Sequence, residues 1–243
     1  MRTGNPALSA NTFKDHSDSS EQMTINGTVN KTAILLVLVL ITFGWTWNLF
    51  DTTQDPTSVI PYLWIGTIGG FIVALVTIFK KTWSPLTSPI YALLEGLAIG
   101  SISAFFEAQY PGIVIQAASL TFGTLLVLLM AYKSGLIKVT ENFKLGIIAA
   151  TGAICVIYIV DMVLRFLGTG VPFIHESGWI GIGFSLVVVT IAAFNLVLDF
   201  DFIEQGAKNG APKYMEWYSA FGLLVTLIWL YLEILRLLAK IRR

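Results

Sequence analysis

Five acidic side chains stand within or at the margins of long uncharged stretches of this sequence: Glu95, Asp161, Asp199, Asp201 and Glu233. A charged group at the centre of a lipid-embedded helix costs roughly 2.5–3.5 kcal/mol on insertion scales, so each calls for a partner or a task. Glu95 lies six residues past Pro89, about 9 Å along a helix rising 1.5 Å per residue. Asp199 falls at a similar depth from the same side, so the two can meet if their segments are neighbours. Two carboxylates in one dry site cannot both ionise easily, and such a pair holds a proton between them. Asp201, roughly 200° around the helix from Asp199, points to the headgroups or pairs with Lys208. Asp161 and Arg165 are spaced i,i+4, and Glu233 and Arg236 i,i+3, so each couple can pair along one helix face.

These acids belong to elements that must cross a membrane. The chain has 243 residues, 55% hydrophobic and only 12% charged, with a mean hydropathy of +0.75. Soluble domains average about 25% charged residues, so a soluble globular domain is excluded. The formal net charge is zero, and the basic footprint of a nucleic-acid binder is absent. One cysteine, Cys155, leaves no internal disulfide or multi-cysteine metal site. The two histidines, His16 and His175, lie far apart and outside the apolar runs.

Residues 1–31 are polar, with Asn5-Pro6 as a turn signal and no apolar stretch of a signal peptide after Met1. They form an expected cytoplasmic tail, and the stretch from Asn5 through Phe13 is a candidate docking element. Nineteen uncharged residues separate Lys31 from Asp51, 24 separate Asp55 from Lys80, and 25 separate Glu107 from Lys133. Runs of this length cross a bilayer as helices. Their apolar residues do not alternate with period two, which rejects a barrel. The expected fold is all-α: a polytopic membrane protein with a seven-transmembrane-helix bundle over 32–243. Its spans fall at about 32–50, 58–79, 89–110, 113–132, 145–167, 179–203 and 216–240.

Positive charge orients the spans. Ten Lys and Arg lie in the tail and the loops after spans 2, 4 and 6, against Arg165 alone in the alternate loops. The N-terminus is therefore expected in the cytoplasm. Arg236, Lys240, Arg242 and Arg243 break the pattern: either the first six spans dominate, or the last segment is re-entrant. Gly96, Gly100 and Ala104 form a small-residue stripe in span 3, and Gly66/Gly70 and Gly181/Ser185 repeat it in spans 2 and 6. Such stripes allow close helix approach. Trp45, Tyr62, Trp83, Tyr110, Trp179 and Trp217 lie near span ends, as in an interfacial belt.

Three segments carry a resemblance. "Tyr91-Ala92-Leu93-Leu94-Glu95-Gly96-Leu97-Ala98-Ile99-Gly100" resembles the Glu-Gly signature of the Bax inhibitor-1/YccA family. "Leu198-Asp199-Phe200-Asp201-Phe202-Ile203-Glu204" is similar to that family's sixth-helix aspartate segment, and "Leu230-Tyr231-Leu232-Glu233-Ile234-Leu235-Arg236" to its last-helix motif, with Glu in place of Asp. The resemblance covers about residues 30–243 and looks most like a bacterial branch, which implies the bacterial inner membrane. It implies a seven-helix bundle around a central helix, linked to pH-sensitive calcium leak and to protection from cell stress. It also implies a gate made by a pair of aspartates on the last two helices. Asp199 matches the first. The second position is Leu224 on a gapless alignment and Glu233 on the local motif. The family's basic latch on the second helix has no counterpart, since span 2 holds no Lys or Arg before Lys80.

The leading expectation is a cation leak, Ca2+ first among the candidates, gated by protonation of buried carboxylates. Hard cations prefer oxygen ligands, and Asp199, Glu95 and Glu233 could hold Ca2+ transiently. No cofactor is expected. The alternative is a membrane-embedded stress regulator that binds another membrane protein, such as a quality-control protease. On that view, deleting residues 1–28 abolishes partner capture and spares ion flux. An intramembrane enzyme is not expected: Ser101 and Ser103 have no intramembrane histidine, Asp161 and Asp199 lie at opposite depths, and no span carries a mid-membrane lysine.

Overall fold

The computed structural model describes residues 22–171 and 178–243. His16, His175 and the Asn5–Phe13 stretch lie outside the described residues. Seven helices follow one another: α1 Ile25–Thr53, α2 Ile60–Phe79, α3 Ser84–Gln109, α4 Ile113–Lys133, α5 Glu141–Phe166, α6 Trp179–Lys208 and α7 Met215–Arg242. All seven are long and apolar enough to cross a membrane. Among the described residues there is no strand, only an isolated bridge between Gln22 and Pro212.

Several helices outrun the expected spans, because apolar content marks the lipid-crossing part of a helix whereas capping marks its end. Helix α1 starts at Ile25 instead of 32, where the Thr24 hydroxyl accepts the Gly27 amide at 2.9 Å. Helix α3 starts at Ser84 and runs through Pro89, so Glu95 lies 11 residues into it, about 16 Å by helical rise. Inside the spans, Thr28, Thr32, Thr77 and Thr121 each donate to the carbonyl four residues back. A hydroxyl in lipid has no water to turn to, and this bond satisfies it locally.

Helix α7 is the most enclosed of the seven and packs against α1, α3, α4 and α6. Its buried residues include Leu223, Leu224, Leu227, Leu230, Tyr231, Ile234 and Leu235. Helix α3 is the second core element, packed on α1 and α2. The small-residue stripes make those contacts. A Cβ on Gly96 would stand 2.0 Å from Thr42 Oγ1, one on Gly100 2.0 Å from Thr46 Oγ1, and one on Gly66 2.5 Å from the Leu94 carbonyl. Helix α5 is peripheral and leans on α6.

The two ends of the bundle are fixed by polar ties. At one end Ser84 donates to the Tyr214 carbonyl at 2.9 Å, and Thr24 donates to Glu216, so α1, α3 and α7 start together. Lys144 at the start of α5 pairs with Asp201 near the end of α6 at 3.0 Å, which adds α5 to that end. At the other end Arg242 donates to the Pro111 carbonyl at 2.9 Å and to Gln116 at 2.8 Å. Helix α7 therefore runs the full length of the bundle, and the re-entrant alternative for the last segment is set aside.

Candidate functional site

Glu95 of α3 and Asp199 of α6 open onto one cavity of about 460 Å³. Helix α2 supplies Thr67, Phe71, Ala74 and Ile78 to its wall, and α7 supplies Phe221, Gly222, Val225 and Thr226. Gly222 lines it with open space beside the backbone. Gly70 of α2 sits against Glu95, where a Cβ would lie 3.0 Å from Oε1. Tyr91, one turn before Glu95 and 4% exposed, is the polar group beside that carboxylate. Thr226 is the polar group beside Asp199. Even so, Asp199 buries its Oδ2 with no hydrogen-bond partner among the described residues. A buried, unpartnered carboxylate oxygen facing a cavity carries a desolvation cost that a proton or a cation would relieve.

Glu233 does not join them. It is 1% exposed and lies seven residues beyond Thr226 on α7, about 10 Å along the axis. There it accepts from Tyr158 of α5 at 3.0 and 3.1 Å, from Trp229 at 3.3 Å and from Arg236 at 2.9 Å. Leu224, the other position considered for the second gating carboxylate, is absent from the cavity wall. Neither position supplies Asp199 with a partner. Among the described residues no three His, Cys, Asp or Glu side chains come together as a metal site. The expected cation donors therefore divide into a pair, Glu95 with Asp199, and a separate residue, Glu233.

Glu233 and Arg236 instead line a second, smaller cavity of about 190 Å³ at the opposite end, together with Tyr158, Ser185, Lys240 and Arg243. Lys240 there donates to the Gly181 carbonyl and to Ser185, so the small-residue pair of α6 receives the lysine of α7. Between the cavities α7 buries Leu227 and Leu230, and Tyr231 shares a 2.7 Å hydrogen bond with Ser103.

The remaining acids divide between expectation and correction. Asp161 pairs with Arg165 at 3.0 Å as the i,i+4 spacing predicts, and it also accepts the Val171 amide at 3.0 Å. Asp201 does not pair with Lys208. Its partner is Lys144 of α5, while Lys208 pairs with Glu204 one turn before it.

Glu107 and Glu216 are among the carboxylates with no assigned role in the sequence. Glu107 accepts the amides of Gly112 and Val114 at 2.5 and 3.2 Å, capping the start of α4 from the preceding helix. Glu216, fully buried, accepts from Thr24 and pairs with Lys31 at 3.1 Å and Lys213 at 2.9 Å. An acid in the first turn of a helix was the available signal for Glu216. Its long-range partner on α1 had none.

A family model described as Bax inhibitor 1 like matches residues 5–243, essentially the whole chain. No curated protein and no solved structure matches it.

Proposed function

The chain belongs to the Bax inhibitor 1 like family, and from that premise we propose that it is a cation leak pathway gated by protonation of the Glu95–Asp199 pair. The carrying observation is that these carboxylates, from helices three apart in the chain, face one cavity while an Asp199 oxygen stays unpartnered. With both groups ionised, their repulsion loosens the wall between α2, α3, α6 and α7 and offers oxygen ligands to a hard cation. Protonation removes the repulsion and leaves a neutral plug above the buried Leu227, Leu230 and Tyr231 barrier. Ca2+ is the proposed permeant ion, and the role is that of a conduit rather than a catalyst.

The proposed setting is a bacterial inner membrane with the N-terminal end of the bundle in the cytoplasm. Lys31, Lys80, Lys81, Lys133, Lys138, Lys144, Lys208 and Lys213 belong to that end by chain order, which supports the orientation. The cavity then faces the proton and ion concentrations of the cytoplasm.

The test is flux into proteoliposomes loaded with a calcium-sensitive dye, across a pH series. Wild type should show flux that rises with pH, and Asp199→Asn and Glu95→Gln should each flatten that dependence. An unchanged pH profile in both variants overturns the assignment.

A further inference from the structure

A third cavity, outside the carboxylate pair, has the composition of a lipid site. It measures about 840 Å³, within the roughly 300–1,000 Å³ of small-molecule sites. Ile25, Val29 and Leu36 of α1 form one wall, and Leu125, Leu126 and Leu129 of α4 face them. Helix α6 closes the back with Phe200 and Ile203. The α4 wall runs eight residues from Leu125 to Lys133, about 12 Å, long enough to lay a stretch of acyl chain along it. An apolar slot of this kind binds chains without regard to headgroup.

The mouth supplies the selectivity. Lys133 at the end of α4 and Lys138 in the α4–α5 loop are exposed and line the cavity. Neither has an ion pair among the described residues, whereas the acids of the same wall are already matched. Asp201 is held by Lys144 at 3.0 Å. Glu204 is held by Lys208 and by the Tyr132 hydroxyl. Two unmatched positive charges thus stand over an apolar slot at the end of the bundle where headgroups lie.

We propose that the α1–α4–α6 cleft binds an anionic phospholipid of the adjoining leaflet, its acyl chain in the slot and its headgroup phosphate between Lys133 and Lys138. The lysines act as point charges on the headgroup. Each contributes about fivefold in retention, the scale of one basic residue at an anionic membrane surface.

Native mass spectrometry of the full chain in detergent tests this, with phosphatidylglycerol and phosphatidylcholine of matched acyl chains as probes. Wild type should retain phosphatidylglycerol preferentially, and Lys133→Gln/Lys138→Gln should lower that retention by about 25-fold and that of phosphatidylcholine far less, since choline offsets its phosphate charge. Lys133→Arg/Lys138→Arg keeps the charge and should keep the preference. Leu129→Trp, which fills the slot, should lower retention of both lipids. Lys80→Gln/Lys81→Gln, at the same end but outside the cleft, should change nothing. Equal retention of the two lipids by wild type overturns the proposal. So does an unaltered preference in the double glutamine variant, or an equal loss in the Lys80/Lys81 control, which would make the effect one of general surface charge.

Discussion

The Tyr158 hydroxyl of α5 lies 3.0 and 3.1 Å from the two carboxylate oxygens of Glu233 on α7. This bond reaches across the bundle to its most peripheral helix, which otherwise leans on α6. Arg236 pairs with the same carboxylate and lies over the Tyr158 ring at 5.7 Å. The three side chains form one unit that seats α5 against α7.

Tyr158→Phe removes the hydroxyl and little else. A hydrogen bond to a charged acceptor is worth about 1.5–3 kcal/mol, so thermal unfolding in detergent should show a loss of that size. Amide exchange should rise first in α5. A loss spread evenly over all seven helices would contradict this seating role.

Glu216 does the same for the start of α1. Its carboxylate holds Thr24, Lys31 and Lys213, and a Cβ on Gly27 would come within 1.9 Å of Oε1. Glu216→Gln and Gly27→Ala should therefore converge on one phenotype, faster amide exchange over residues 24–31. Glu216→Gln should cost about 1.5–3 kcal/mol. This geometry also limits any truncation meant to test partner binding. Removing residues 1–28 would take Thr24 and its Glu216 contacts with the tail, whereas a deletion ending at residue 21 leaves them in place.

Close helix approach gives a contrast between glycines. Gly100→Val places atoms where Thr46 Oγ1 already stands 2.0 Å from the Cβ position, with the Phe43 carbonyl 3.0 Å away. Overpacking of this kind costs about 1–3 kcal/mol and should separate α1 from α3. Gly123→Ala meets nothing within 4 Å and should raise stability by up to about 1 kcal/mol through helix propensity. Thermal unfolding of the two variants reads both signs.

How much of this was visible in the residues themselves depended on the range of each interaction. The seven helices follow from uncharged run length, and the Gly66, Gly96 and Gly100 contacts from spacing along one helix. Asp161–Arg165 and Glu233–Arg236 likewise needed only helical periodicity. The partners of Asp201 and Glu216 did not follow, because Lys144 and Lys31 lie on other helices and periodicity carries no information across a bundle. The same limit applied to the second gating position: the motif left it open between Leu224 and Glu233, and only the packing of α5 on the bundle shows Tyr158 as the partner of Glu233.

Acid sensitivity should separate a loop from the carboxylate pair. Asp55 caps the turn before α2, accepting the Thr57 amide at 2.8 Å and the Thr57 hydroxyl at 2.6 Å. These bonds hold its pKa below the ordinary carboxylate value. A depressed folded pKa gives stability that is present above the unfolded value of about 3.9 and is lost as pH falls through the folded one. Asp55→Asn should therefore remove a stability change confined to acid below about pH 4. It should leave the pH profile of cation flux unaltered, and a shifted flux profile would implicate the loop in gating.

The division of the acids between two cavities makes the final prediction. If gating resides in the Glu95–Asp199 cavity, Asp199→Asn flattens the pH dependence of flux, whereas Glu233→Gln preserves it. Glu233→Gln instead lowers thermal stability, because the Arg236 pair and the Tyr158 bond both weaken. A gate built on Glu233 would reverse this result, with Glu233→Gln flattening the profile and Asp199→Asn leaving it intact. Measuring both variants for flux across pH and for thermal unfolding distinguishes the two. Stability alone would not, since each carboxylate is enclosed in the bundle and either substitution can disturb packing. The decisive reading is which variant loses pH dependence while keeping measurable flux.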